Sequence, residues 1–163
     1  ILLLVTFLAV FIYDFLYKSS FAKNTRVVTI VSFLLIAGIE YAMICCGNYS
    51  YRAVNIHIGA MFGTMMAFNV WFRIWPAQQQ IITAIKNGEA PDGDLVALAG
   101  LRSKHNTYMS LPLFWTMINQ HTAEAGLSGK LFDCEGAVLL VVIALGWHII
   151  FQCYKKSGKV QGF

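Results

Sequence analysis

The 163-residue sequence contains little charge: 12% of its residues are Asp, Glu, Lys or Arg, whereas 58% are hydrophobic. Soluble domains carry roughly a quarter charged residues, so this shortage argues against an ordinary water-soluble domain. The mean hydropathy of +0.62 agrees with that. No run of basic residues is interleaved with exposed aromatics, which argues against a nucleic-acid partner. The composition predicts an integral membrane protein that is surrounded by a lipid bilayer.

Common catalytic and cofactor motifs are also absent from the sequence. The four cysteines form neither a CxxC pair nor a CxxCH haem-attachment motif, and no two histidines have the HxxxH spacing of a metal site. There is no phosphate-binding glycine loop and no nucleophile–histidine–acid motif. The spacing of residues therefore predicts no metal site and names no substrate.

Five apolar stretches predict five transmembrane helices, because a helix needs about 20 mainly apolar residues to cross a bilayer. The first stretch starts at Ile1 in the middle of an apolar run, and we interpret it as a processed or incomplete N-terminus. The fourth contains Pro112, which neighbouring helices can accommodate. We predict an all-α integral membrane bundle forming a single domain over 1–163, with spans at about 1–17, 27–46, 53–75, 102–121 and 136–154.

Lysine and arginine are distributed unequally between the two sides of this predicted bundle. With five spans, ten of these residues fall on one side and only Arg52 and Lys130 on the other. Because cytoplasmic loops are enriched in Lys and Arg, the loops at 18–26 and 73–105 and the C-terminus are predicted to be cytoplasmic.

The long cytoplasmic loop is predicted to contain two helices. Pro76 begins the first, which is amphipathic, ends at Gly88 and is expected to lie on the membrane surface. Asp94 is expected to cap the second, which begins at Leu95.

Small residues at four-residue intervals in the third span (Gly59, Gly63 and Ala67) predict a groove in which another helix packs closely.

Ionisable side chains inside the predicted spans are candidate functional groups, since they are expensive in a membrane. Glu40 and His57 have matching depths near the outer face and are expected to pair. Such a pair is a structural contact, a haem ligand, a proton relay or part of a quinone site. His105 and His148 have matching depths near the inner face, where they either support the structure or together bind a b-type haem. The cofactor-binding candidates are thus Glu40, His57, His105 and His148.

Other polar residues have predicted places as well. On the fourth helix, His105, Pro112, Thr116 and Asn119 share one face that should point into the bundle. His121 lies on the opposite face and is expected at the interface. Asp14 and Arg73 are expected to pair or snorkel near the inner headgroups. Two disulfide pairings remain open at the outer face, from Cys45 or Cys46 to Cys134.

Two blocks of sequence resemble a known family. They are AFNVWFRIWPAQQQIITAIKNGEAPD at 67–92 and GLRSKHNTYMSLPLFWTMINQH at 100–121. Both are similar to the membrane module of the bacterial cytochrome-c-linked urate oxidases. The matching residues are Asn69, Trp71, Arg73, Trp75, Pro76, Arg102, His105, Asn106, Thr107, Ser110 and Pro112.

This resemblance implies an oxidoreductase in the bacterial inner membrane that passes electrons from urate toward a cytochrome c or a quinone. Since these 163 residues contain no CxxCH motif, a separate cytochrome is expected. The alternative is a non-catalytic accessory subunit of a larger respiratory or photosynthetic complex, held by other membrane subunits. The catalytic candidates are Arg73, His105, Asn106, Thr116 and Asn119.

Overall fold

The computed structural model describes residues 2–122 and 137–159. Within these ranges the chain is a helical bundle without strands, which confirms the predicted all-α fold. The α-helices are α1 (Leu2–Lys18), α2 (Thr25–Tyr41), α3 (Tyr51–Asn69), α4 (Trp75–Lys86), α5 (Gly93–Thr122) and α6 (Ala137–Ser157). A short 3-10 helix, Ser20–Lys23, joins α1 to α2, and π-helical turns occur at Ala42–Cys46 and Val70–Ile74.

Three helical segments in the described ranges are long and apolar enough to cross a membrane: Thr25–Cys46, Tyr51–Lys86 and Ala137–Ser157. They match the second, third and fifth predicted spans. α1 has 17 residues, and α5 carries several charged side chains in its first half, so the first and fourth spans stay predictions.

The outer surface of α1 nevertheless resembles a lipid-facing surface. Leu4, Phe11 and Phe15 are 61%, 61% and 76% exposed, and large exposed apolar surfaces of this kind mark contact with a membrane or another protein.

Short polar side chains determine where the helices begin. Asn24 caps α2, because its side-chain oxygen accepts hydrogen bonds from the backbone N–H groups of Arg26 and Val27. At α5, Oδ1 of Asp92 accepts from the backbone N–H of Asp94 at 2.8 Å. The prediction that Asp94 is the capping residue was therefore wrong by two positions.

The predicted surface helix exists as α4, and it is continuous with α3. α4 continues α3 through the π-helical turn, giving one helical segment of 36 residues. Such a segment is about 54 Å long, well beyond the roughly 30 Å hydrocarbon core of a bilayer. Ala77 and Ile81 of α4 pack against Ala99 of α5. Part of the apolar side of this helix therefore packs against α5, and its position on the membrane surface stays a prediction.

α3 lies in the core, where Val54, Ile58 and Phe62 are at most 1% exposed. α3 packs closely on α5 at Gly59, where an added Cβ would lie 2.5 Å from Oγ1 of Thr116. A Cβ on Gly63 would meet nothing within 4 Å. The predicted close packing is confirmed at Gly59 and is wrong at Gly63 within this chain.

The contacts between helices bring basic side chains together at one end of the bundle, called the basic end below. It contains Lys18, Arg73 and Arg102, and Lys104 lies beside Tyr154 of α6. The opposite end, which contains Cys45 and Arg52, is called the Cys45 end.

Candidate functional site

At the basic end, three cations share one carboxylate. Arg73 donates two hydrogen bonds to Asp14, one of them from Nε to Oδ1 at 3.0 Å. Arg102 donates from Nη2 to the same Oδ1 at 3.0 Å, and Nζ of Lys18 lies 2.9 Å from Oδ2. The predicted pairing of Asp14 with Arg73 is confirmed. The cluster as a whole has more positive than negative charge.

Arg102 is the deepest of these cations. It is only 2% exposed, and its Nε and Nη1 have no hydrogen-bond partner among the described residues. Its guanidinium carbon lies 5.2 Å from the centroid of the Tyr13 ring, which is a cation–π distance. Buried donors without acceptors are costly, above all on a charged group. An anionic ligand that accepts from these nitrogens would relieve that cost.

A hydrogen-bonded network lies beside Arg102. Nδ2 of Asn69 donates to the hydroxyl of Tyr13 and to Oδ1 of Asn106, both at 2.8 Å. Nδ2 of Asn106 donates to the backbone oxygen of Met66 at 3.2 Å. The Tyr13 hydroxyl lies 2.7 Å from Nδ1 of His105. Because that hydroxyl already accepts from Asn69, we assign its hydrogen to the bond with His105, which leaves a neutral imidazole protonated at Nε2.

Side chains of three helices, α1, α3 and α5, form this network. Tyr13 and Tyr17 are one turn apart on α1, and the Tyr17 ring lies 4.2 Å from the His105 ring, centroid to centroid. Asn69, which is fully buried, directly precedes the π-helical turn that contains Arg73. Such turns occur frequently at functional sites. The arrangement places a buried cation with unused donors beside a hydrogen-bonded pair, Tyr13 and His105, between which a proton can move.

The other catalytic candidates on α5 lie elsewhere. Nδ2 of Asn119 donates to the Tyr51 hydroxyl at 3.0 Å and lies 3.4 Å from Oδ1 of Asn55. Thr116 packs on Gly59. Asn119 is fourteen residues from His105, a separation of about 20 Å along the helix. The predicted polar face does point inward at Thr116 and Asn119, which are 3% and 2% exposed. Its residues nevertheless belong to two separate sites, because His105 bonds to Tyr13 whereas Asn119 bonds to Tyr51.

Glu40 and His57 do not form the expected pair. Glu40 is 1% exposed, and neither of its carboxyl oxygens has a hydrogen-bond partner within the described parts of the chain. Nδ1 of His57 instead lies 2.8 Å from the backbone oxygen of Ala53 on its own helix, and the His57 ring is 5.0 Å from that of Tyr49.

The two histidines predicted to share a haem have different surroundings. His105 is bonded to Tyr13, whereas His148 is exposed and lies 3.2 Å from Gln152 on its own helix. Haem b binding stays a prediction. The side chain of His121 and the whole of Cys134 lie outside the described residues, and so do the two disulfide pairings.

The sequence analysis missed part of the network. Tyr13 and Tyr17 were not among its candidates, and Arg102 was noted only as part of a family-like block. One signal was available: Tyr13, Asp14 and Tyr17 follow each other at helical spacing on one side of the first span. Among the described residues, no group of three or more His, Cys, Asp or Glu side chains has the geometry of a metal site.

Comparison with known protein families gives a match over nearly the whole sequence. A family described as "Urate oxidase N-terminal" matches residues 1–160, almost the whole chain. No curated protein and no solved structure matches this sequence.

Proposed function

Because the chain belongs to the urate oxidase N-terminal family, we propose that it is a membrane redox domain that oxidises urate and passes the electrons toward a quinone or a cytochrome c. The observation that supports this proposal most is the position of Arg102. A buried cation with unpartnered donors lies next to the hydrogen-bonded pair of Tyr13 and His105.

The charge of the site suits this substrate. Urate is a planar anion at neutral pH, and the basic end combines Lys18, Arg73 and Arg102 with the single carboxylate of Asp14. Arginine is well suited to bind a planar oxyanion, because its donors have a rigid, planar geometry.

The neighbouring pair suits the chemistry. Addition of water to urate with loss of two electrons and two protons gives a hydroxylated product. A proton from the reacting water can pass to the Tyr13 hydroxyl while that hydroxyl gives its own proton to Nδ1 of neutral His105, which thereby acts as the general base. The electrons pass to the acceptor: a quinone takes them up with protons, and cytochrome c takes up electrons alone.

Binding and turnover of purified protein test this proposal. We expect urate to bind and to reduce a soluble quinone or cytochrome c. Arg102→Gln should weaken urate binding at least tenfold, since it removes the buried charge. Arg52→Gln, on the exposed start of α3, is the matched control and should leave binding unchanged. A wild-type protein that binds no urate and co-purifies with other membrane subunits would support the accessory-subunit alternative. A visible spectrum with a Soret band would show whether haem is present.

We also propose that the basic end faces the cytoplasm of a bacterial cell and that the C-terminus lies there. The lysine and arginine distribution supports this orientation. A Lys159→Cys variant in a cysteine-free background should resist a membrane-impermeant maleimide in intact cells and react after permeabilisation. Ready labelling of intact cells would show that the C-terminus lies outside the cytoplasm and that the proposed orientation is wrong.

A further inference from the structure

A groove of about 310 Å³ lies between α3 and α5 on the surface of the bundle. Ile56, Ala60 and Gly63 line it from α3, and Leu113 and Met117 line it from α5. Ligand sites in proteins are clefts of about 300–1,000 Å³ with mainly apolar walls, so the groove has the size and the lining of a small binding site. Its α3 wall belongs to a segment that is long and apolar enough to cross a membrane, so the groove opens toward lipid.

The polar side chains in this groove are already bonded inside the bundle. Nδ2 of Asn55 donates to the backbone oxygen of Tyr51 at 2.8 Å, and Oγ1 of Thr116 donates to that of Leu113 at 2.7 Å. A polar ligand therefore finds few groups to bond with, whereas a hydrocarbon chain gains dispersion contacts along both walls. The lining favours an apolar, chain-like occupant.

The groove is too narrow for a transmembrane helix. α3 and α5 touch at its floor, where a Cβ added to Gly59 would lie 2.5 Å from Oγ1 of Thr116. Helices in such contact have axes about 8–10 Å apart, whereas a helix with its side chains is about 10–12 Å wide. Ile56 and Met117, which are 46% and 57% exposed, rise from opposite walls and narrow the opening. A single acyl chain fits between them, and a helix would rest on the rim.

A cation lies at one end of the groove. At about 100° per residue, Arg52, Gly59 and Gly63 lie within about 20° of one another around α3, so Arg52 is on the face that lines the groove. The axial distance from Arg52 to Gly63 is about 16 Å, close to half of the roughly 30 Å hydrocarbon core. Arg52 is exposed, and none of the ion pairs formed by the described residues includes it. Its guanidinium is thus available for a phosphate, to which arginine can donate two parallel hydrogen bonds.

We propose that this groove binds a phospholipid of the bilayer that has a net negative headgroup. One acyl chain lies between α3 and α5, and Arg52 binds the phosphate. The length supports this arrangement, because a chain that starts at Arg52 and ends near Gly63 spans one leaflet. Basic pockets between transmembrane helices bind anionic lipid headgroups. The proposal does not depend on urate oxidation, since Arg52 lies at the Cys45 end and Arg102 at the basic end.

Photocrosslinking locates the lipid. The purified chain is placed in nanodiscs of phosphatidylcholine with a minor, constant fraction of phosphatidylglycerol that has a diazirine in one acyl chain, and crosslinked peptides are identified by mass spectrometry. We expect crosslinks at positions 56–63 and 113–117 that decrease when unlabelled phosphatidylglycerol replaces phosphatidylcholine. Crosslinks at Leu4 and Phe11, on the exposed side of α1, should not change in this exchange.

Two results of this experiment would overturn the proposal. Equal labelling of the groove and of α1, with no effect of the exchange, would mean that the groove meets only bulk lipid. A groove without lipid crosslinks, in a protein that forms dimers in the nanodisc, would mean that a second copy covers it.

Three variants test the two parts of the site. Gly63→Leu places a side chain in the groove, where a Cβ meets nothing within 4 Å, and should reduce the groove crosslinks at least tenfold. Gly38→Leu is the matched control and should retain them, because Gly38 is an exposed glycine of the membrane-crossing segment Thr25–Cys46 with equally open surroundings. We expect the wild type to prefer phosphatidylglycerol at least threefold over phosphatidylcholine with the same photoreactive chain, and Arg52→Gln should abolish this preference. Wild-type crosslinking of Gly63→Leu would refute the chain position, and an undiminished preference in Arg52→Gln would refute the headgroup contact.

Discussion

The two halves of the interface between α3 and α5 contain equally buried polar residues that are used differently. Toward the Cys45 end, Asn55 and Asn119 are 0% and 2% exposed, and Asn119 bonds to Tyr51 across the helices. Toward the basic end, Asn69 and Arg102 are 0% and 2% exposed. Burial alone therefore does not distinguish a structural contact from a functional site.

The partners do distinguish them. Toward the Cys45 end the groups are neutral, bond to one another and lie next to close helix packing. At the basic end neutral groups such as Asn69 lie beside charged ones, cations outnumber the carboxylate in the cluster, and Nε and Nη1 of Arg102 have no acceptor in the described chain. Polar groups that satisfy each other hold helices together. A buried charge with unused donors has no such partner, and this difference is why we propose Arg102, not Asn119, as the residue that binds the substrate.

The largest effect that we predict is on Asp14. Asp14→Asn removes the carboxylate on which Arg102 depends and leaves that guanidinium buried without a counter-charge. Breaking a buried ion pair in this way costs about 3–5 kcal/mol. Reversible unfolding in mixed micelles should show this loss, and Glu89→Gln should show none. The double variant with Arg102→Gln should recover part of the stability. If the Asp14→Asn protein were as stable as the wild type, water would reach the cluster, and its ion pairs would contribute no more to stability than exposed ion pairs do.

The next largest loss of stability is predicted where α3 packs closely on α5 at Gly59. Gly59→Leu places a side chain where Thr116 already lies and should cost about 1–3 kcal/mol or more by overpacking. Gly63→Leu, one turn further, is the matched control, because a Cβ there meets nothing within 4 Å. Both are measured by the same unfolding assay. Equal destabilisation by the two variants would show that another chain packs against Gly63.

Tyr13→Phe should have an intermediate effect. It removes the hydroxyl that joins Asn69 to His105 and leaves buried polar groups unpaired, at a cost of about 1–3 kcal/mol. It should also slow urate turnover. Tyr41→Phe is the control, since Tyr41 is 68% exposed. If Tyr13→Phe matched the control in both assays, the network would be a minor feature of the basic end.

Lys18→Gln should have the smallest effect. The Lys18 side chain is 56% exposed, although its ammonium group lies 2.9 Å from Asp14. Exposed ion pairs contribute about 0–1 kcal/mol, and salt screens them. Unfolding at low and high salt should show a small difference that disappears at high salt. A loss as large as that of Asp14→Asn would show that Lys18 is essential to the cluster.

Much of the fold follows from the sequence. The apolar runs correctly predicted helices and three segments that can cross a membrane, and the predicted pairing of Asp14 with Arg73 is present. The boundaries near 75 and 102 could not be predicted well. α3 continues into α4, and α5 begins at Gly93, because packing between Ala77, Ile81 and Ala99 extends the helices beyond their most apolar parts.

The candidate site was only partly predictable. Local helical periodicity, a property of the sequence alone, determined that Thr116 and Asn119 share a face, and both are buried as predicted. Only the tertiary structure decided that His105 meets Tyr13 and that Glu40 meets no partner in the described chain. The physical reason is that a helix fixes neighbours three or four residues apart, whereas contacts between helices depend on their rotation and register. Those are set by close packing at a few sites such as Gly59 and Thr116, which becomes visible only when the helices are assembled.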